Sequence, residues 1–283
     1  MHNTESFQYW TDLVVGSDGS DVDEVGHPDM GRGFNLCAYG LRLRALARTL
    51  KLAGFVLPGS AVFEVGFGVG FYMNFWRTVG CGHVTGVEIS PTAVANVKAR
   101  HPNFDLRLLD IGELHNETDW LALQGSFQLV TLIDVLYHIM DDAEASQALR
   151  NVAQLVASGG VLVLTEKFPA TALPISESRI VRRRPLDWYE QVLGEQGLTR
   201  SDLVPVFWCM DPPIFNSGQL PKALTGYLLW AAMRASLKYW PKKGSVQDRI
   251  GQVVGKIGAG IDRIMVSSMH TSPNLTMAVF RRG

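Results

Sequence analysis

The stretch Ala61-Val62-Phe63-Glu64-Val65-Gly66-Phe67-Gly68-Val69-Gly70 joins an apolar, strand-forming run to three glycines at alternate positions, and its reading decides the fold. Glycine has no β-carbon, so such a loop can turn tightly and bring its backbone against a ligand. A strand-to-helix turn of this kind can also cradle a pyrophosphate, so its spacing matters. The dinucleotide pattern needs glycine at position 71, where Phe71 stands, and the phosphate-loop ending Gly-Lys-Ser/Thr does not occur. Glu64, two residues before the first glycine, has no use against a polyphosphate but can pair with a cationic ligand.

Outward from this loop, short β-branched runs alternate with helical stretches as far as Phe168. Strands are expected at 61–65, 83–87, 104–109, 127–133 and 161–165. Helices are expected at 70–79, at 91–100 with Pro91 in the first turn, and at 141–156, ended by a cap at Ser158-Gly159-Gly160. The alternation implies a doubly wound, mostly parallel α/β sheet. Acids mark the strand ends: Glu64 in the first strand, Glu88 closing the second, Asp110 the third and Asp134 the fourth. Open α/β sheets bind ligands at the carboxyl ends of their strands, and a carboxylate there can accept both hydrogen bonds of a ribose diol.

On these residues the chain resembles the class I, Rossmann-like S-adenosylmethionine-dependent methyltransferases. Glu64-x-Gly66-x-Gly68-x-Gly70 matches the strand-one signature of that family. Glu88 matches its strand-two acid, Asp110-Ile111 its strand-three pair near the adenine, and Val161-Leu162-Val163-Leu164-Thr165 its strand-five motif. The resemblance covers residues 60–168 and extends more loosely to a helix at 188–198 and strands at 203–209 and 275–281. It implies a seven-stranded sheet whose last strand returns antiparallel beside the fifth. It also implies S-adenosyl-L-methionine as cofactor, leaving as S-adenosyl-L-homocysteine. The cofactor site would comprise Glu64, Gly66, Phe67, Gly68, Gly70, Glu88, Ile89, Asp110, Ile111 and Asp134.

A sulfonium methyl is already an activated electrophile. The protein's work is to align the nucleophile, exclude water and remove a proton where that nucleophile is a hydroxyl. His138, just past the fourth strand in Asp134-Val135-Leu136-Tyr137-His138, is the candidate general base, because imidazole ordinarily titrates near neutral pH. A capping or packing role competes with that reading. Tyr39, Tyr72 and Tyr137 are candidate substrate-pocket residues. The place after strand four lacks the Pro-Pro-aromatic motif of the family's amino-methylating nucleic-acid enzymes, and Asp211-Pro212-Pro213-Ile214 reads as a loop. Asp141 and Asp142 open a helix, where the dipole favours carboxylates, and no ligand cluster argues for a metal. The expectation is metal-independent methylation of a small-molecule acceptor, a hydroxyl of a secondary metabolite or sugar. A protein or lipid-linked acceptor is one alternative, and a non-catalytic S-adenosylmethionine-binding protein is another.

Acidic and basic residues nearly balance, 27 against 26, which gives none of the basic excess of a nucleic-acid-binding domain. Cys37, Cys81 and Cys209 stand far apart without ligand spacing, as reduced thiols do. Residues 1–20 lack a signal-peptide pattern and no apolar run approaches membrane-spanning length, so a cytoplasmic protein is expected. Residues 1–56 read as a loop at 16–33 followed by an amphipathic helix at 35–52, a lid whose Phe34, Tyr39 and Arg42 can close over the cofactor. The core then runs over 57–217 and 270–283, interrupted by a helical insertion at 218–269. That insertion pairs a helix at 220–240, apolar nearly all round, with a glycine-weakened helix at 246–265. A pocket cap or a homodimer element is expected there ahead of a membrane contact.

Overall fold

The computed structural model describes Gln8, Trp10, Val22, Gly26, His27 and residues 29–113, His115, 118–171, 180–238, Trp240 and 245–283. Seven strands form one sheet in the order β3-β2-β1-β4-β5-β7-β6. They are β1 Ala61–Val65, β2 His83–Glu88, β3 Asp105–Leu108, β4 Phe127–Leu132, β5 Val156–Glu166, β6 Leu198–Pro205 and β7 Thr276–Arg282. The first five pair in parallel, and β7 runs antiparallel to both β5 and β6. Successive side chains point to opposite faces, so Val62, Leu129 and Val163 join one core while Phe63, Val130 and Leu164 join a second. Helices α1 (Gly31–Leu52), α2 (Phe71–Thr78) and α3 (Pro91–Arg100) cover the first core. The second is covered by α4 (Thr118–Leu121), α5 (Asp142–Leu155) and α6 (Leu186–Gly194). Between β6 and β7 the chain forms α7 (Leu220–Lys238) and α8 (Ser245–Ser267).

Helix starts follow their caps. Ser90 Oγ accepts from the Ala93 N–H at 3.3 Å with Pro91 in the first turn of α3. Asp141 Oδ1 accepts from Ala143 at 2.8 Å and Glu144 at 2.9 Å to open α5.

Several boundaries depart from the sequence expectation. Helix α1 begins at Gly31 rather than 35, inside the expected loop. A β-carbon at Gly33 would overlap the Asp248 carbonyl oxygen, so this glycine serves close packing of α1 on α8, not chain flexibility. Helix α5 ends at Leu155, and Gly159-Gly160 fall inside β5 where its register with β4 shifts. The pair therefore belongs to a strand irregularity, with Gly159 at φ 69°, and not to a helix cap. Helix α6 ends at Gly194, and β6 spans 198–205 instead of 203–209. The buried carboxylate of Asp262 on α8 accepts from the backbone N–H groups of Trp208 (3.1 Å), Cys209 (2.8 Å) and Met210 (3.1 Å), drawing that segment out of the sheet.

The expected lid and insertion pack on each other. A β-carbon at Gly255 of α8 would stand 3.0 Å from the Cys37 side chain on α1, and one at Gly251 3.0 Å from the Met30 carbonyl oxygen, so these two glycines mark close approach of the two helices. Helix α7 buries Ala223, Gly226, Trp230 and Leu237 but leaves Leu220, Leu224 and Leu228 exposed. Among the described residues no helix is long and apolar enough to cross a membrane.

Candidate active site

Strands β1 and β4 are neighbours whose chain connections leave toward opposite ends of the sheet, and a crevice opens at their carboxyl ends. The crevice is a cavity of ≈ 190 Å³. One side is formed by the glycine loop. Gly66, Gly68 and Gly70 all adopt left-handed backbone, at φ 68°, 49° and 81°. A β-carbon on Gly66 would come within 2.5 Å of the Val135 side chain, so only glycine fits that turn. Glu88 fixes the loop: Oε2 accepts from Gly68 N–H at 2.9 Å, and Oε1 from Ile89 at 2.8 Å and Ser90 at 3.1 Å. Three of a carboxylate's roughly four acceptor directions are thus taken, which leaves one for a ligand hydroxyl rather than the pair expected for a ribose diol. Burial pushes the Glu88 carboxyl above its ordinary value, and the three backbone N–H groups oppose that rise. Asp110 Oδ1 accepts from Gly112 N–H at 2.8 Å, with Ile111 buried beside it.

The other side is formed by side chains distant in sequence. Asp134 is the one non-glycine with positive φ among the described residues, at 60°. Its Oδ1 accepts from Thr165 Oγ1 at 2.9 Å, and its Oδ2 accepts from the buried Arg42 Nε at 2.8 Å. The Arg42 guanidinium lies over the Tyr39 and Phe207 rings, 4.9 and 4.8 Å from their centroids. The helix expected as a lid is therefore tied by an ion pair to the carboxyl end of β4, at the centre of the sheet. Burial raises the Tyr39, Tyr72 and Tyr137 phenols, so all three remain protonated.

His138 Nδ1 lies 2.8 Å from the Ile180 carbonyl oxygen. A carbonyl can only accept, so Nδ1 carries the hydrogen and Nε2 the lone pair. Its ring sits 4.3 Å from those of Trp10 and Tyr137. Burial pushes this imidazole down to about 4, well below the near-neutral titration expected from its residue type, because a dry site disfavours the cation.

Of the residues expected to form the site, Gly66, Phe67, Gly68, Glu88, Ile89, Asp110, Ile111 and Asp134 line the cavity. Tyr39, Tyr72, Tyr137 and His138 line it as well. Glu64 lies behind the loop, where its carboxyl accepts from Trp76 Nε1 and burial pushes it up to about 8. It is not positioned to pair with a cationic ligand across the cavity. Gly70 is the N-cap of α2 rather than part of the wall, and Phe34 is fully buried in the core.

Sequence reasoning passed over three contributors. Trp10 lines the cavity from a segment read as polar; its one signal was a large aromatic in that stretch. Asp211, read as a loop residue, is buried and pairs with Lys167 Nζ at 2.7 Å. Residues 180–184 clamp the His138 loop: Arg182 N–H donates to the Tyr137 carbonyl at 2.7 Å, and Arg184 donates to those of Ile139 (2.9 Å) and Asp141 (3.2 Å). The consecutive Arg182-Arg183-Arg184, in a chain only 19% charged, was the available cue.

Together the glycine cradle, the acid-buttressed loop and the crevice at the switch point define a nucleoside-cofactor-binding α/β enzyme core. Residues 38–197 match the family model described as a methyltransferase domain, and the chain belongs to that family, the class I S-adenosylmethionine-dependent methyltransferases. No curated protein matches in sequence. Solved structures share the fold at low identity. The N-methyltransferase NodS from Bradyrhizobium japonicum, in complex with S-adenosyl-L-homocysteine, aligns with TM-score 0.54 and 16% identity over 98% of each chain. A complex between the Haloferax volcanii Trm112 methyltransferase activator and a methyltransferase gives 0.54 and 16%, covering 94% of this chain and 97% of that one. An S-adenosylmethionine-dependent methyltransferase from Mesorhizobium loti gives 0.51 and 16%, covering 84% and 98%. The cofactor of this chain is S-adenosyl-L-methionine, and the residues present fit it: the turn that only Gly66 can make, the remaining acceptor direction on Glu88 and the Asp110-Ile111 wall.

Proposed function

We propose that this enzyme methylates a hydroxyl of a small-molecule acceptor, such as a secondary metabolite or sugar, without a metal. The observation that carries the reading is the continuity of the cavity, from the glycine loop and Glu88 to Tyr72, Tyr137 and His138. An open acceptor side argues against a purely non-catalytic binding protein. S-adenosyl-L-methionine, when bound, supplies a sulfonium-borne methyl group that a nucleophile displaces directly.

The chain's own residues then have separable tasks. The glycine loop and Glu88 hold the cofactor side rigid, while the aromatic walls exclude water. His138 accepts a hydrogen bond at Nε2 from the acceptor hydroxyl and so turns an oxygen lone pair toward the transferring carbon. As the new C–O bond forms, that hydroxyl proton becomes strongly acidic, so even an imidazole pushed down to about 4 can receive it. A methylated amine stays far more basic than such an imidazole and gains nothing from it. A proton acceptor at this position therefore supports the hydroxyl reading over the amine one.

Incubation with S-adenosyl-L-methionine and a panel of phenols, sugars and amines, read by mass for the gain of one methyl group, tests the proposal. Methylated hydroxyls support it. Amine products alone overturn the oxygen reading, and tight cofactor binding without any product overturns the enzymatic one.

A further inference from the structure

A second cavity, of ≈ 240 Å³, opens where α1 and α8 meet the end of β6. Arg44 and Arg48, one turn apart on α1, line it together with Arg263 of α8, over an apolar floor of Leu41, Ala45, Pro205, Val206 and Val266. No acid is among the described residues that line it. Among the described residues Arg44 and Arg263 meet no carboxylate, and Arg48 donates to the Val266 carbonyl at 3.2 Å. Guanidiniums gathered around one small cavity repel one another. The group that relieves them is an anion with several acceptor oxygens, such as a phosphodiester.

Arg263 also belongs to a row along α8. Arg249, Lys256 and Arg263 recur two helical turns apart, so they share one exposed line. Beside it Val246, Val253, Ile257 and Ile264 form a second line, at i, i+7, i+11 and i+18, and they are 51–73% exposed. Branched aliphatic side chains at that spacing ordinarily face a core, and here they face outward. The acids of α8 leave both lines free: Asp262 is buried, and Asp248 accepts from the Arg32 N–H at 3.1 Å. Helices α1 and α7 contain no Asp or Glu, in a chain where acids outnumber bases 27 to 26, and α7 exposes Leu224 and Leu228.

We infer that this face docks on an anionic phospholipid bilayer: a lipid phosphate enters the cavity among Arg44, Arg48 and Arg263, while Val253, Ile257 and Ile264 enter the acyl boundary beside it. An exposed apolar line flanked by a basic one is the pattern of a helix that lies in a membrane interface. A second copy of the chain fits the face less well. Antiparallel pairing along the aliphatic line of α8 sets the basic row against its own counterpart, and parallel pairing lays it on Ile250 and Ile261 without a counter-charge. Nucleic acid would satisfy the arginines but leave the isoleucines in water. The docking is independent of the acceptor and of the methyl-transfer reading, and it gives the insertion a role at the membrane surface without a spanning segment.

The test mixes the full chain with vesicles of phosphatidylcholine alone, or with about one-third phosphatidylglycerol, at about 0.1 M salt, and reads the bound fraction by co-sedimentation. The wild-type protein binds the anionic vesicles at least about 10-fold tighter than the neutral ones. Arg44→Gln with Arg48→Gln and Arg263→Gln weakens that binding about 100-fold, as the loss of three cations at the surface predicts. Ile257→Ser with Ile264→Ser weakens it about 10-fold. All five side chains are exposed, so both variants keep the wild-type melting temperature. Equal binding to the two vesicles, or binding to neither, overturns the inference. An isoleucine variant that binds like the wild type overturns it too, because charge adsorption alone would remain. A concentration-dependent dimer in sedimentation velocity that the isoleucine variant abolishes would assign the face to a second copy and overturn it as well.

Discussion

The two sides of the cavity are built by different means. On the cofactor side, carboxylates meet backbone N–H groups close in the chain: Glu88 with Ser90 two residues on, Asp110 with Gly112 two residues on, and Glu88 with Gly68 20 residues back. On the acceptor side the contacts join side chains and segments far apart, 92 residues for Arg42–Asp134 and 42 for His138–Ile180. The first arrangement is carried by a loop that can be read from consecutive residues. The second exists only after the sheet has assembled.

The largest effect of a single substitution on folding should come from breaking the acceptor-side pair. Arg42→Met leaves the partly exposed Asp134 carboxylate without its cation and should cost about 1–3 kcal/mol in denaturant unfolding. Adding Asp134→Asn, which tolerates the positive φ at that position, should recover more than half of that loss. A single-variant cost below about 1 kcal/mol would mean that the two sides are less different than the ion pair suggests.

On the cofactor side the matching lesion is Gly66→Ala. The new β-carbon meets Val135 at 2.5 Å and sits on backbone at φ 68°, so the loop must shift. Left-handed backbone on a non-glycine costs on the order of 1–3 kcal/mol, which predicts a roughly 10- to 100-fold weaker affinity for S-adenosyl-L-homocysteine by calorimetry. Binding should suffer more than folding here, the reverse of Arg42→Met. Unchanged affinity would sink the cradle reading of the loop.

Each side also contains one buried carboxyl that burial pushes up to about 8, Glu64 behind the loop and Glu166 at the end of β5. A raised carboxyl keeps its proton in the folded chain but loses it when unfolded near its ordinary value. Its contribution is therefore complete below about pH 4.5 and is lost as pH rises toward about 8. The melting temperature should fall between pH 5.5 and 8, by the equivalent of roughly 3 kcal/mol per group. Glu64→Gln and Glu166→Gln should each flatten the slope, against the opposing rise that His138, pushed down to about 4, contributes over the same range. If only one of them does, the two sides differ in dryness as well as in construction.

Strands β1 to β5, the cofactor loop and the positions of Glu88 and Asp110 were legible because each depends on residues adjacent in the chain. The boundaries of β6 were not, because Asp262, from a helix more than fifty residues later, captures the amides of 208–210. Glu64 was read as a ligand-facing acid, since the sequence cannot report that Trp76 reaches back to hold it inside. His138 was found by its place after β4, but its basicity depends on burial beside Trp10 and on the carbonyl of Ile180, neither of which spacing reveals.

The smallest expected effect is a flat line, and it tests the acceptor side most directly. With its imidazole pushed down to about 4, His138 is already the neutral base across pH 5.5–7.5, so kcat for a hydroxyl acceptor should be constant there. An imidazole at its ordinary value would instead lose rate about tenfold per pH unit below about 6.5. The falling limb should appear only as pH approaches about 4, where the base form of His138 is lost. His138→Gln should lower kcat by about 10²-fold, leave S-adenosyl-L-homocysteine affinity unchanged and abolish that limb. An inflection between pH 6 and 7 that disappears in His138→Gln would show that the acceptor brings water to this ring. The acceptor side would then be a wet, rearranging surface facing a rigid cofactor loop, and its specificity would have to be sought in the substrate-bound state.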